Sequence, residues 1–203
     1  MRLLLILALF CAAAPRAAEN ITVAAFGDSL SAGYGLPAGQ GFAPALEKEM
    51  RALGLPAAVV NAAVSGDTTS DGLVRVDWML RDKPDIVIVE FGANDMFRGV
   101  PPEAAKKNLA AIIERIRKTG ARVLLAGMRA PSNYPPQYRG KFARVYESLA
   151  EEYEIPLYPF FLEGVALNPQ LNLTDGIHPN ASGVQIIARN IAPVAVQIAR
   201  EIQ

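Results

Sequence analysis

The chain has 203 residues, 51% of them apolar, which suffices for one domain with a substantial core and argues against disorder. Its 20 basic and 20 acidic residues cancel to a formal net charge of zero, without a run of like charges. That excludes the electrostatic footprint of a nucleic-acid binder or a polybasic membrane binder and favours a neutral or weakly charged small-molecule substrate.

Residues 1–18 read as a secretory signal peptide. Arg2 gives a positive start, residues 3–10 are an unbroken apolar run, and small residues follow. The run is too short for a stable membrane anchor, so none is expected after processing. Pro15 and Arg16 blur the cleavage point, which is expected between residues 14 and 19. The bulky Phe10 before Cys11 disfavours lipid attachment. Removal leaves residues 19–203 as a single domain without cysteine, hence without a disulfide, a thiol nucleophile or a Cys-based metal site. Export to the periplasm or the medium follows from this reading.

In chain order, apolar runs at 21–26, 57–61, 85–91, 122–127 and 155–158 alternate with amphipathic stretches. This order predicts an α/β domain with a parallel sheet covered by helices on both faces. Leu109, Ile112, Ile113 and Ile116 recur at helical spacing, as do Phe142, Val145, Tyr146, Leu149 and Tyr153; both stripes are expected in the core. A last helix from about Ala181 carries Val184, Ile187, Ile191, Val194 and Ile198 on one face, kinked or divided at Pro193. The periodicity also assigns Trp78, the sole tryptophan, to the core.

Loops leaving the carboxyl ends of parallel strands share one edge, so polar residues that follow each strand are the ones that can meet. After the first strand comes Gly27-Asp28-Ser29-Leu30, with Ser29 at the strand-to-turn junction. Such a serine is exposed as a nucleophile, although Gly-Asp-Ser also makes ordinary turns and caps. The loop at 61–69 places Gly66 where a backbone N–H can approach a ligand; it is equally a plain turn before a helix capped by Asp67 or Thr68. Gly92-Ala93-Asn94-Asp95 follows the third strand, and the Asn94 amide can donate to an oxyanion or simply begin a turn. Thr174-Asp175-Gly176-Ile177-His178-Pro179 holds the only histidine. Asp175 can reach one ring nitrogen while the other faces a nucleophile, and Pro179 restricts the His178 backbone; alone, the histidine would be an ordinary turn residue. Together the four loops supply every part that acyl transfer requires: nucleophile Ser29, base His178, orienting carboxylate Asp175, and oxyanion donors in the N–H groups of Ser29 and Gly66 and the amide of Asn94.

These motifs resemble the four blocks of the SGNH hydrolases, or GDSL esterases, across essentially the whole mature chain. The stretch from Gly27 to Tyr34, Asn61 to Thr68, and Asp175 to Asn180 are similar to the bacterial periplasmic branch of thioesterases, lysophospholipases and arylesterases. The resemblance implies a flavodoxin-like three-layer α/β/α sandwich with a five-stranded parallel sheet in order 2-1-3-4-5. It also implies a serine hydrolase of aryl esters, acyl thioesters and lysophospholipids that needs no cofactor. Within that branch the loop after the fourth strand, about 128–138, helps to form the acyl pocket, which nominates Pro131, Asn133, Tyr134, Pro135 and Pro136. A monomer is expected. Two rival readings stand beside it: a carbohydrate or peptidoglycan O-acetyl esterase, and a non-catalytic flavodoxin-like binding module, although the sequence lacks a P-loop and a Gly-x-Gly-x-x-Gly fingerprint. A metal hydrolase is disfavoured by one histidine and no cysteine after processing.

Overall fold

The computed structural model describes residues 20–202. The signal-peptide expectation for residues 1–18, with Cys11, falls outside them.

Five parallel strands form one sheet in the order β2-β1-β3-β4-β5. They are β1 (Ile21–Gly27), β2 (Ala57–Asn61), β3 (Ile86–Glu90), β4 (Arg122–Ala126) and β5 (Leu157–Tyr158). The helices are α1 (Ser29–Ala32), α2 (Phe42–Ala52), α3 (Thr69–Met79), α4 (Ala93–Phe97), α5 (Pro102–Lys118), α6 (Pro136–Tyr153) and α7 (Ala181–Arg200). The flavodoxin-like order expected from the resemblance is the order observed.

The layering follows from handedness. The chain steps outward from β1 to β2 through α2, then back past β1 to β3 through α3; right-handed crossovers in opposite directions put the two helices on opposite faces. α7 packs on α2, while α5 lies between α3 and α6. The reversal falls between β1 and β3, which pair in register from Val23↔Ile86 to Gly27↔Glu90. A crevice opens outside the carboxyl ends of strands at such a reversal.

β3 is buried along its whole length, as a central strand covered on both faces must be. Phe26 and Phe91 meet edge to face at 5.0 Å on one side of the sheet, and Phe42 and Phe161 at 5.1 Å in another part of the core. Each such fully buried side chain contributes roughly 1.5–3 kcal/mol relative to exposure. The helical stripes of α5 and α6 are buried as expected, except that Tyr153 at the end of α6 is half-buried.

Two expectations need correction, and the alternatives at Pro193 are narrowed. Trp78 is 61% exposed, not core. The buried stripe of α3 runs Thr69, Gly72, Val76 and Met79, so Trp78 falls with Val74 on the outer face. β5 is shorter than residues 155–158, because it is an edge strand entered through Pro156, which has no N–H for the ladder and offers only its carbonyl, to Leu125. α7 runs through Pro193 as one helix rather than dividing there.

Candidate active site

The end of β1 packs tightly on β3 because Gly27 has no side chain: a Cβ there would sit 2.5 Å from the Glu90 carbonyl oxygen. Asp28 then caps α1 from an extended conformation, its Oδ1 accepting the Leu30 N–H at 3.0 Å. The capping role thus falls to Asp28, not to Ser29. Ser29 occupies the first helical position, half-buried, with its hydroxyl directed at the histidine.

Ser29 Oγ lies 2.9 Å from His178 Nε2, and His178 Nδ1 lies 2.7 Å from Asp175 Oδ2. The second Asp175 oxygen accepts the N–H groups of Ile177 and His178 at 2.9 and 3.0 Å. Those backbone donors, with the His178 side chain, hold the Asp175 carboxyl down to about 2 although the residue is exposed. The turn itself is anchored on both sides. Leu173 N–H donates to His178 O at 2.7 Å, and Asn180 caps α7 through the N–H groups of Ser182 and Gly183. Tyr34 covers the imidazole, ring centroids 4.4 Å apart. The sequence reading assigned Tyr34 no role; its place in the Gly27-to-Tyr34 stretch was the available signal.

Asn94 sits at the start of α4, after Gly92 at φ 127, a left-handed conformation that suits only glycine. Its Nδ2 donates to the Asp67 carbonyl at 2.9 Å and to Asp28 Oδ2 at 3.2 Å. The amide therefore bridges the residue that follows Gly66 and the residue that precedes Ser29. Gly66, at φ 91, gives its carbonyl to Arg98 Nη2 at 2.8 Å. Among the described residues the N–H groups of Ser29 and Gly66 have no hydrogen-bond acceptor, which leaves them available to an incoming oxygen. The open choice of cap at the 61–69 loop resolves to Thr68, which forms a capping box with Asp71, while Asp67 pairs with Arg75.

Beneath the turn that carries Ser29 lies a buried acidic pair that the sequence reading missed. Glu90 ends β3 with no solvent exposure; its Oε2 accepts Ser31 Oγ at 2.7 Å and the Asp28 N–H at 3.4 Å, and its Oε1 has no partner. Burial pushes the Glu90 carboxyl well above its ordinary value, with the nearby Asp28 charge adding to the shift. Burial likewise raises Asp28 to about 7, against the opposing pull of the Leu30 N–H and the Asn94 amide.

Beside Ser29 opens a cavity of about 300 Å³, lined chiefly by apolar side chains that include Leu30, Met96, Met128, Phe160 and Ile177. Leu30 adjoins Ser29 and Ile177 adjoins His178 in sequence, so the cavity lies next to the hydrogen-bonded chain. Of the loop residues nominated for the pocket, Pro131 lines it, whereas Asn133, Tyr134 and Pro135 do not. Tyr134 instead donates to Met96 O at 3.3 Å and stacks on Tyr138, while Pro135 and Pro136 start α6. The missed lining residues are apolar side chains just past strand ends, which a sequence reading assigns to the core by default.

A hydroxyl, an imidazole and a carboxylate linked in this order can move a proton from Oγ to the ring and hold the resulting imidazolium. Residues 25–186 match the family described as GDSL-like Lipase/Acylhydrolase. The chain is 39% identical to an arylesterase of Vibrio mimicus over 97% of its length and 98% of the relative's. It is 40% identical to thioesterase 1/protease 1/lysophospholipase L1 of Escherichia coli, covering 85% of this chain and 82% of that one. The crystal structure of TesA superposes with a TM-score of 0.83 at 39% identity, covering 87% of this chain and 99% of that one. On its motifs, its fold and these relatives, the chain belongs to the GDSL-like lipase/acylhydrolase family and is a serine hydrolase of carboxylic esters.

Proposed function

We propose that Ser29 is the nucleophile, His178 the general base and Asp175 the carboxylate that fixes the ring tautomer. In the first half-reaction His178 Nε2 takes the Ser29 proton while Oγ adds to the acyl carbon. The tetrahedral oxyanion accepts hydrogen bonds from the N–H groups of Ser29 and Gly66 and from the Asn94 amide, which exchanges its longer bond, 3.2 Å to Asp28 Oδ2, for the oxyanion. Collapse expels the alcohol or thiol, which carries away the proton from the imidazolium, and leaves an acyl-Ser29 ester. Water, deprotonated by the same His178, repeats the sequence and releases the carboxylic acid. The observation that carries this reading is the continuous Ser29–His178–Asp175 hydrogen-bonded chain, at 2.9 and 2.7 Å, whose sequence neighbours Leu30, Gly176 and Ile177 line an apolar cavity.

The cavity favours substrates whose acyl part is a hydrocarbon chain: aryl esters, fatty-acyl thioesters and lysophospholipids. The relatives named arylesterase and lysophospholipase support the same range. An acetyl esterase working on sugars would want a polar cleft, and the chiefly apolar lining disfavours it. Residues 1–18 act as an export signal in this reading, so the working enzyme is periplasmic or secreted. Among the described residues no helix is long and apolar enough to cross a membrane. Every proposed reacting group and donor comes from one chain, so a monomer suffices.

The test is hydrolysis of p-nitrophenyl esters from acetate to palmitate, with Ala166→Trp placed in the cavity wall. The expected result is a wild-type preference for chains longer than acetate, which the Trp variant shifts toward acetate. Equal turnover of all chains by both proteins would contradict the assignment of the cavity to the acyl group.

A further inference from the structure

Arg75 lies in the middle of α3, where an isolated arginine in an amphipathic helix reads as a surface residue. Its side chain is only 17% exposed, and the guanidinium is spent on three acceptors. Nε donates to Asp67 Oδ2 at 2.5 Å, Nη2 to the Gly27 carbonyl at 2.8 Å, and Nη1 to the Ala62 carbonyl. The guanidinium carbon also lies 4.4 Å from the centroid of the Phe26 ring, over its face.

These acceptors share a location. Ala62 and Asp67 are the two ends of the loop that carries Gly66, and Gly27 immediately precedes Asp28 and Ser29. The Gly27 carbonyl also accepts the Val64 N–H at 3.0 Å, so one oxygen joins the nucleophile turn to both the loop and the arginine. The Asp67 carbonyl accepts the Asn94 amide at 2.9 Å, so the residue Arg75 grips by its carboxylate also aims Asn94.

Helix α3 does not depend on Arg75 for its attachment. Thr68 and Asp71 cap it reciprocally, Asp95 accepts the Thr69 N–H at 2.8 Å, and Val76 and Met79 are buried in the core. All three polar contacts of the guanidinium go to the loops that flank the reacting groups.

We propose that Arg75 is a positioning residue for the oxyanion pocket: one guanidinium, bonded to Gly27, Ala62 and Asp67, fixes the Gly66 loop against the nucleophile turn and thereby sets where the Gly66 N–H and the Asn94 amide point. The inference rests on the reading of Gly66 and Asn94 as oxyanion donors. It predicts a residue that matters to the transition state more than to substrate binding, because the loop geometry is tested only when the oxyanion forms. A lysine would keep the charge but could not span three acceptors with the fixed fork of a guanidinium.

The experiment measures kcat, KM and thermal midpoint on p-nitrophenyl butyrate for Arg75→Met and Arg75→Lys, each in the wild-type and Asn94→Ala backgrounds. Arg75→Met is expected to lower kcat roughly a hundredfold with KM held within about twofold, and Arg75→Lys to lower it about tenfold. In the Asn94→Ala background Arg75→Met should cost about tenfold or less, because one of the two donors it positions is already gone while the Gly66 N–H remains. Should Arg75→Met fail to fold, the Arg75→Lys pair decides in its place. A folded Arg75→Lys enzyme with wild-type kcat, or the same fold-loss from the Arg75 substitution in both backgrounds, overturns the inference alone. Wild-type kcat in Asn94→Ala by itself overturns the donor assignment and this inference with it.

Discussion

The two ends of the sheet carry clefts of opposite character. At the amino ends of the strands lies one of about 610 Å³, lined by residues such as Arg117, Arg122, Tyr153 and Glu154. At the carboxyl ends, beside Ser29, the cavity is about 300 Å³. The larger cleft holds surface hydrogen bonds, with Arg117 donating to the Tyr153 carbonyl at 3.0 Å, and among the described residues no serine, cysteine or histidine lines it. Volume therefore does not mark the chemistry. What marks it is the convergence of four loops at one edge of the sheet, which pairs the Ser29 hydroxyl with His178 and leaves two backbone N–H groups without an acceptor among the described residues.

Substitutions should separate the two ends sharply. Ser29→Ala is the largest effect: kcat for p-nitrophenyl esters should fall roughly 10⁴-fold or more without loss of the folded state. Asp175→Asn should follow at roughly 10³–10⁴, because the amide favours the wrong imidazole tautomer. Asn94→Ala should cost roughly 10²–10³ in kcat with little change in KM, read from the same steady-state assay. At the opposite end, Arg117→Ala should leave kcat/KM within about twofold and stability within roughly 0.5 kcal/mol. A strong kinetic effect there would break the comparison.

A second contrast sets two acids of the same site against each other. Asp175 is exposed and held at about 2 by hydrogen bonds to its charged form, whereas Asp28 is buried and pushed up to about 7. Their signs in stability are opposite. Asp28 keeps a proton in the folded state that the unfolded chain loses near its ordinary 3.8, so folding stability falls as pH rises from there through about 7. The contribution of Asp175 is present above its ordinary 3.8 and is lost as pH falls toward 2. Thermal melts at pH 5 and pH 8 should show the wild-type midpoint drop by several degrees at the higher pH. Glu90→Gln, which removes the second buried carboxylate, should shrink that drop; an unchanged drop would remove Glu90 from the account.

Much of this site was legible in the sequence because the local rules and the global fold agree there. The long apolar run of β3, the glycines at or just past the ends of β1, β3 and β4 and the single histidine are ambiguous one by one but agree together, and the order of apolar runs along the chain predicts the parallel sheet. The strand positions agree with expectation to within one or two residues at most ends, and β5 fell short for the reason Pro156 supplies. Other features were illegible for physical causes. Glu90 closes an apolar strand and reads as its solvent-facing end, yet it is buried beneath the turn that follows β1. Arg75 reads as a solvated helix position, because nothing local says that its fork spans two other loops. Trp78 shows the converse error: periodicity assigns it inward, whereas the stripe set by Gly72, Val76 and Met79 turns it out. The cavity wall, made of Met96, Met128 and Phe160, is built from residue types that a sequence cannot distinguish from core.

The central claim is that Ser29 carries the acyl group during turnover. Its most direct test is peptide mass spectrometry of protein labelled with a long-chain p-nitrophenyl alkylphosphonate, an analogue that leaves a stable tetrahedral adduct on an activated serine. The account predicts one adduct, on the peptide containing Ser29, formed at least about a hundredfold more slowly in His178→Ala. Inactivation with the adduct on any other residue, or continued ester hydrolysis by protein fully labelled at Ser29, would contradict it.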